Sequence, residues 1–136
     1  MPIIEGTTGL KTAIGEFDFA VDGGAVGTIT LRAQPTDATG NEIPAGSVIT
    51  GGYIEVDTPF TSGGAATVSA GSEAAADLQA AAAVSGAPWS STGRKSIVPA
   101  GTGATSVKTT AKRALTLTVA VAALTAGKGR VVVFYR

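Results

Sequence analysis

Two pairs of acidic residues, Glu16 with Asp18 and Glu55 with Asp57, have the spacing that could place two carboxylates side by side. Residues i and i+2 of a β-strand point to the same face, so each pair would share one face of its strand. Paired carboxylates can exchange protons in acid–base catalysis. Apolar residues alternate with both pairs, however, and the outward positions of half-buried strands are usually solvated. We interpret both pairs as a solvated face.

The sequence contains neither His nor Cys. Ser–His–Asp and Cys–His catalysis are therefore excluded, and a zinc site would have to consist of carboxylates alone. Disulfide bonds are excluded as well. We expect a protein that is not an enzyme and that uses no cofactor and no metal.

Two glycine-containing segments partly match nucleotide-binding motifs. The segment from Ala122 to Gly129 resembles the end of a P-loop, but it has Ala at its first position and Gly in place of Ser or Thr at its last. The segment from Gly101 to Ser106 lacks the third Gly of a dinucleotide fingerprint. Both segments are better interpreted as β-turns.

Basic residues are frequent in the second half of the chain, but no nucleic-acid-binding motif surrounds them, and Trp89 is the one aromatic residue interleaved with them. We therefore expect no nucleic-acid partner. Trp89 is more typical of core or loop packing than of a binding hot spot, although Trp is enriched in hot spots. The basic residues in question are Arg94, Lys95, Lys108, Lys112, Arg113, Lys128 and Arg130.

Alternating apolar residues predict β-strands along most of the chain. The central run carries Ile54 and Val56 on its inner face, and Pro59 should end its pairing. Residues 66–70 form a second alternating run, and residues 115–121 form the clearest one. After a turn at 124–129, residues 130–136 are β-branched and aromatic and predict a closing strand.

Three further predictions concern connections. Residues 13–21 should form a strand with Phe17, Phe19 and Val21 inward, and Asp22-Gly23-Gly24 should turn it into a hairpin with a return strand at 28–33. An Ala-rich helix is expected at 73–84, capped by Ser72 and stopped by Gly86. Residues 85–96 should form a loop.

These elements predict an all-β protein, a β-sandwich or barrel of about eight short antiparallel strands with one short peripheral α-helix. A chain of 136 residues with 19 Gly fits one domain at 13–136, preceded by an N-terminal arm or irregular first strand at 1–12. The residues expected to face inward are Phe17, Phe19, Ile29, Leu31, Ile54, Val56, Val68, Leu115, Leu117, Val119, Val131 and Val133.

The charges are unevenly placed although the formal net charge is zero. Residues 1–80 hold all ten acidic residues and two basic ones, whereas residues 81–136 hold eight basic residues and no acidic one. Strands from the two halves could interleave and mix these charges. Alternatively, opposite faces could carry opposite charge and promote association between copies or with a partner.

No apolar run is long enough to span a membrane, and the N-terminus lacks the features of a secretory signal. We therefore expect a protein that is made and used without export and that has no membrane partner.

Four segments carry a resemblance to a known class of proteins: residues 43–49 (IPAGSVI), 53–56 (YIEV), 66–71 (ATVSAG) and 124–135 (LTAGKGRVVVFY). Together they resemble small head structural proteins of tailed bacteriophages, the capsid decoration or cement proteins. The resemblance implies a β-rich virion protein on the capsid surface, made in the host cytoplasm, often a homotrimer, that binds the major capsid protein.

A phage tail or fibre component, or another surface- or carbohydrate-binding β-module, is the alternative interpretation. For the capsid interpretation, the candidate partner-binding residues are Ile3, Ile4, Trp89, Arg94 and Lys95. Ile3 and Ile4 would dock as part of an apolar arm, and Arg94 and Lys95 on a loop beside Trp89 would contact an acidic patch.

Overall fold

Ten β-strands and one helical turn make up the secondary structure of the residues that the computed structural model describes, which are 10–33, 40–97 and 107–136. The prediction of an all-β fold is confirmed, with more strands than expected. In chain order they are β1 (Lys11–Asp18), α1 (Phe19–Asp22), β2 (Gly27–Thr30), β3 (Glu42–Ile43), β4 (Ile49–Ser62), β5 (Thr67–Gly71), β6 (Gln79–Ala83), β7 (Gly93–Ser96), β8 (Arg113–Ala114), β9 (Thr116–Ala120) and β10 (Leu124–Tyr135).

The strands form two four-stranded antiparallel sheets and one small ladder. Sheet 1 has the order β1-β10-β4-β7, and sheet 2 has the order β2-β9-β5-β6. The two-stranded ladder pairs β3 with β8. Both large sheets are open, with an edge strand on each side, so the architecture is a sandwich and not a closed barrel.

The core contains ten of the twelve side chains expected to face inward, while Phe19 and Ile29 are only partly buried against it. Its centre is an aromatic stack in which the Phe60 ring lies 5.4 Å from Phe17 and 5.0 Å from Trp89, measured between centroids. The indole Nε1 of Trp89 donates a hydrogen bond to the Val68 carbonyl at 3.0 Å, which satisfies its polar atom inside the core.

The helix expected at 73–84 is wrong. Residues 72–78 form a loop, and the alanines that follow belong to the edge strand β6, which pairs with β5. Asp77 accepts hydrogen bonds from the backbone N–H of Ser72 at 2.8 Å and of Ala74 at 2.9 Å. Such local side-chain bonds compete with helix formation, and pairing with β5 then overrides the helical preference of alanine.

The hairpin expected at Asp22-Gly23-Gly24 is also wrong. β1 ends at Asp18, whose carboxylate accepts from the Ala20 N–H at 3.0 Å and caps the helical turn α1. Val21 is consequently 66% exposed and does not face inward. β1 pairs with β10 and β2 pairs with β9, so the chain crosses here from one sheet to the other.

Three boundaries also differ from expectation. β4 continues through Pro59 to Ser62, because the register shifts between Ala126 and Lys128 on β10 place the proline at an irregularity in the ladder. The turn expected at 124–129 is the first half of β10, where the paired strand β4 holds it extended. The loop expected at 85–96 ends in strand β7. Most of the expected arm at 1–12 lies outside the described residues.

Candidate interaction surfaces

The outer face of sheet 1 carries a charge ladder, which we define as Glu16, Arg130, Glu55 and Arg94. Each residue lies opposite the next one on the neighbouring strand. Glu16 on β1 faces Arg130 on β10, and Arg130 in turn faces Glu55 on β4. Glu55 then faces Arg94 on β7. The four charges therefore alternate in sign across all four strands, the arrangement in which directly opposed cross-strand pairs stabilise a sheet.

Arg130 lies at the centre of the ladder and contacts three carboxylates. Its guanidinium donates to Glu55 and, at 3.1 Å, to Asp57, while its Nε lies 3.8 Å from a carboxylate oxygen of Glu16. The Arg130 side chain is 24% exposed, so solvent screens these pairs only partly. Three of the four carboxylates in the two acidic pairs noted in the sequence thus pair with one arginine.

Arg94 completes the ladder at the edge of the sheet. It donates to Glu55, and its guanidinium lies 5.3 Å from the centroid of the Tyr53 ring. The pKa of Glu55 is lowered, chiefly by the hydrogen bond from Arg94. Partial burial opposes this shift, and the positive charges of Arg94 and Arg130 add to it. The bond to Glu55 in turn raises the pKa of Arg94.

The ladder decides between the two interpretations of the charge asymmetry. The acidic strands β1 and β4 come from the first half of the chain, and the basic strands β7 and β10 come from the second. These strands alternate in sheet 1, so the opposite charges of the two halves pair with each other. Among the described residues, the asymmetry along the chain therefore becomes charge mixing in space.

Of the candidate partner-binding residues, Trp89 is only 1% exposed, so its ring packs in the core and has no surface to offer a partner. Arg94 and Lys95 lie on the edge strand β7 and not on a loop. Successive strand residues point to opposite faces: Arg94 joins the ladder, whereas the Lys95 ammonium donates to the Ser91 carbonyl. Ile3 and Ile4 lie outside the described residues.

A second carboxylate site ties the loop at 72–78 to Thr110 and to Arg113 at the start of β8. Glu73 accepts from Arg113 Nε at 2.7 Å and Nη2 at 3.2 Å, and from the Thr110 backbone N–H at 3.1 Å and hydroxyl at 2.7 Å. These bonds, led by that from Arg113, lower the pKa of Glu73 to about 2. The geometry is that of a structural tether, because both carboxylate oxygens are fully engaged.

Sheet 2 differs from sheet 1 because none of its four strands contains Asp, Glu, Lys or Arg. Its outer face presents hydroxyl and methyl groups. The hydroxyl oxygens of Thr28 and Thr118 lie 3.3 Å apart across the β2–β9 pair, within hydrogen-bond distance. Sequence reasoning missed this surface. Its signal was present as four uncharged segments, residues 23–31, 58–72, 78–93 and 114–127.

The end of the sandwich at which β9 leads into β10 is also uncharged and carries two exposed valines, Val26 at 58% and Val121 at 72% exposed. Beside them lies an open pocket of about 270 Å³. We call this region the uncharged apex and define it by Val26, Val121 and the pocket. The residues that line the pocket are Phe60, Thr61, Ser62, Gly64, Ala65, Ala66, Ala83, Val84 and Ser85.

The described residues contain no group of three or more acidic side chains placed to hold a metal ion. A cavity inside the sandwich, lined in part by Phe17 and Trp89, has a volume of only about 10 Å³, which is the scale of a single water molecule. In the described part of the chain, no helix has the length and hydropathy of a membrane span.

The two open antiparallel sheets define a β-sandwich, and two solved structures contain chains with a similar fold. One is the acidic stable capsid structure of Helicobacter pylori bacteriophage KHP30, with 17% sequence identity and a TM-score of 0.59 over 93% of this chain and 86% of that chain. The other is the capsid asymmetric unit of cyanophage Pam1, with 20% identity and a TM-score of 0.61 over 93% of this chain and 83% of that chain.

At these identities the similarity is one of fold, and it agrees with the resemblance to phage head proteins seen in the sequence. No protein-family model matches the sequence. A search of curated proteins likewise found no match.

Proposed function

We propose that the protein is a structural component of a bacteriophage virion that binds the capsid shell and stabilises it as a decoration or cement protein. The observation that carries this proposal is the fold shared, over 93% of the chain, with chains of two phage capsid structures. The absence of His and Cys from the sequence is in keeping with a role in binding without catalysis.

The proposed mechanism is multivalent bridging between neighbouring copies of the major capsid protein on the virion surface. A single copy binds weakly, and a homo-oligomer such as a trimer gains avidity because a capsid offers the same site many times at fixed spacing. The protein requires no cofactor for this activity.

Two contacts are proposed on this chain. The first is an N-terminal arm that includes Ile3 and Ile4 and docks by apolar burial. The second is the edge formed by Arg94 and Lys95, since the Arg94 side chain remains 69% exposed while it pairs with Glu55. Rim charges steer association and are screened by salt, whereas apolar docking is nearly independent of salt.

Co-sedimentation with particles that lack the protein tests both contacts. Deletion of residues 1–10 should leave a folded domain that no longer sediments with the particles. Arg94→Ala combined with Lys95→Ala should weaken sedimentation at low salt more than at high salt, whereas the control pair Lys108→Ala with Lys112→Ala, also exposed, should have little effect. Failure of the intact protein to sediment with any particle would contradict the proposed function.

A further inference from the structure

Val121 has a backbone conformation that its side chain disfavours. Its φ angle is 75°, and the Ala122 N–H bonds to the Ala120 carbonyl at 2.9 Å, which closes a tight γ-turn around it. A β-branched residue at positive φ is a steric outlier, and γ-turns of this hand are rare and strained. Gly would adopt the same angle without strain.

Packing within the described residues gives Val121 little in return for this strain, because Val121 is 72% exposed. A residue that is strained and also exposes an apolar side chain points to a contact outside its own chain. Val26 lies at the same end of sheet 2, since its neighbour Gly27 pairs with Val119 near the end of β9. The two valines therefore form an apolar projection.

The pocket of the uncharged apex lies directly beside this projection. Ser62, which lines the pocket, donates to the Ala123 carbonyl at 2.6 Å, and a Cβ at Gly64 would meet the Ala122 Cβ at 2.9 Å. At about 270 Å³ the pocket has room for the isopropyl group of a valine. No charged side chain lines it, and depletion of charge is typical of the core of a protein–protein interface.

We propose that the uncharged apex is a self-association surface, in which Val121 of one copy occupies the pocket of a second copy of this chain. A projection and a pocket of matching size and polarity, carried side by side on one surface, are the features that an interface between identical copies requires. This inference rests on the homo-oligomeric state proposed above and names the surface that forms it.

Val121→Gly separates association from folding, because it removes the inserted side chain and relieves the backbone strain together. We expect the dissociation constant of the oligomer, measured by sedimentation velocity over a concentration series, to rise about tenfold or more. The midpoint of urea unfolding should stay the same or rise for a monomeric sample.

Val121→Asn should weaken association similarly, since Asn tolerates this φ region. Val21→Ala is the matched control and should leave association unchanged. Val21 is exposed to a similar degree, but it lies among charged side chains, including Asp18 and Lys128, and does not line the pocket of the uncharged apex.

Cross-linking tests the geometry directly, because the native chain has no Cys and each variant would carry one. Val121→Cys chains mixed with Ser85→Cys chains should form mixed disulfide dimers under mild oxidation, several-fold more than Val21→Cys chains mixed with Ser85→Cys chains. Equal yields in the two mixtures would overturn the assignment of the pocket.

Two further results would overturn the proposal: a wild-type protein that is monomeric at every concentration, or a Val121→Gly protein that associates as tightly as the wild type. Both measurements use the isolated protein, so they are independent of capsid binding. A protein that binds particles as a monomer would refute this inference and the proposed homo-oligomer, but it would leave the proposed role on the shell standing. An oligomer that binds no particle would refute the proposed function and leave this inference standing.

Discussion

Replacing Arg130 with Met removes the central cation of the charge ladder while keeping most of the aliphatic stem that packs along the sheet. Arg130 forms ion pairs with Glu55, with Asp57 and, at 3.8 Å, with Glu16. Exposed pairs contribute about 0.2–1 kcal/mol each, and these three share one largely shielded arginine. We therefore expect Arg130→Met to lower the free energy of unfolding by about 1–3 kcal/mol.

The control is Lys112→Met. Lys112 pairs with Glu42 at 3.4 Å, but the two side chains are 69% and 50% exposed, so the pair is screened by water. Its loss should change the free energy of unfolding by less than about 0.5 kcal/mol. Urea unfolding followed by the fluorescence of the buried Trp89 measures both variants on the same scale.

The pH dependence gives a second check on the same variant. The pKa of Glu55 is lowered in the folded protein from an ordinary value of 4.5, so its contribution to stability is complete above that value and is lost as pH falls through the lowered pKa. The difference between wild type and Arg130→Met should therefore be largest near neutral pH and shrink in acid. Equal effects of Arg130→Met and Lys112→Met at pH 7 would show that the ladder is only a solvated surface.

Three other substitutions test the fold and the loop tether. Leu117→Ala should destabilise the protein by about 2–5 kcal/mol in urea unfolding, because the Leu117 side chain is buried between the sheets. A change within experimental error would contradict the register of β9. Gly129→Ala should destabilise it by about 1–3 kcal/mol, because the added Cβ would clash with the Glu55 carbonyl oxygen. An unchanged unfolding midpoint would refute that close approach. Glu73→Gln should lower the free energy of unfolding at pH 7. The difference in that free energy between wild type and variant should disappear as pH falls from 4.5 to about 2, and a constant difference across that range would contradict the lowered pKa of Glu73.

Local alternation predicted the core because each strand of a sandwich buries one face. Leu117 and Val119 on β9 and Ile54 and Val56 on β4 followed this rule and are buried. Their period of two needs no knowledge of which strands are neighbours.

The errors arose where distant pairing overrides local preference. The alanines of β6 favour a helix by themselves, but β5 offers them a hydrogen-bonding edge. The pairing of β1 with β10 joins nearly opposite ends of the chain, and nothing near Gly23 encodes it.

The candidate surfaces were less predictable than the core for the same reason. The charges of Glu16, Arg130 and Arg94 are far apart in sequence, and only the strand order of sheet 1 brings them into one row. Val121 has a positive φ angle in a turn where Gly would be the expected residue. Because the sequence has Val there, the residue type gives no indication of the turn or of its strain.

The number of copies of this protein in a purified virion tests the proposed function most directly. Quantitative mass spectrometry of intact particles, with the major capsid protein as internal standard, measures that number, and a cryo-EM map locates the copies. A shell-binding decoration protein predicts copies in a fixed ratio to the major capsid protein, on the order of hundreds per particle, because the binding site repeats across the shell. A handful of copies confined to the tail, or none in the particle, would contradict it.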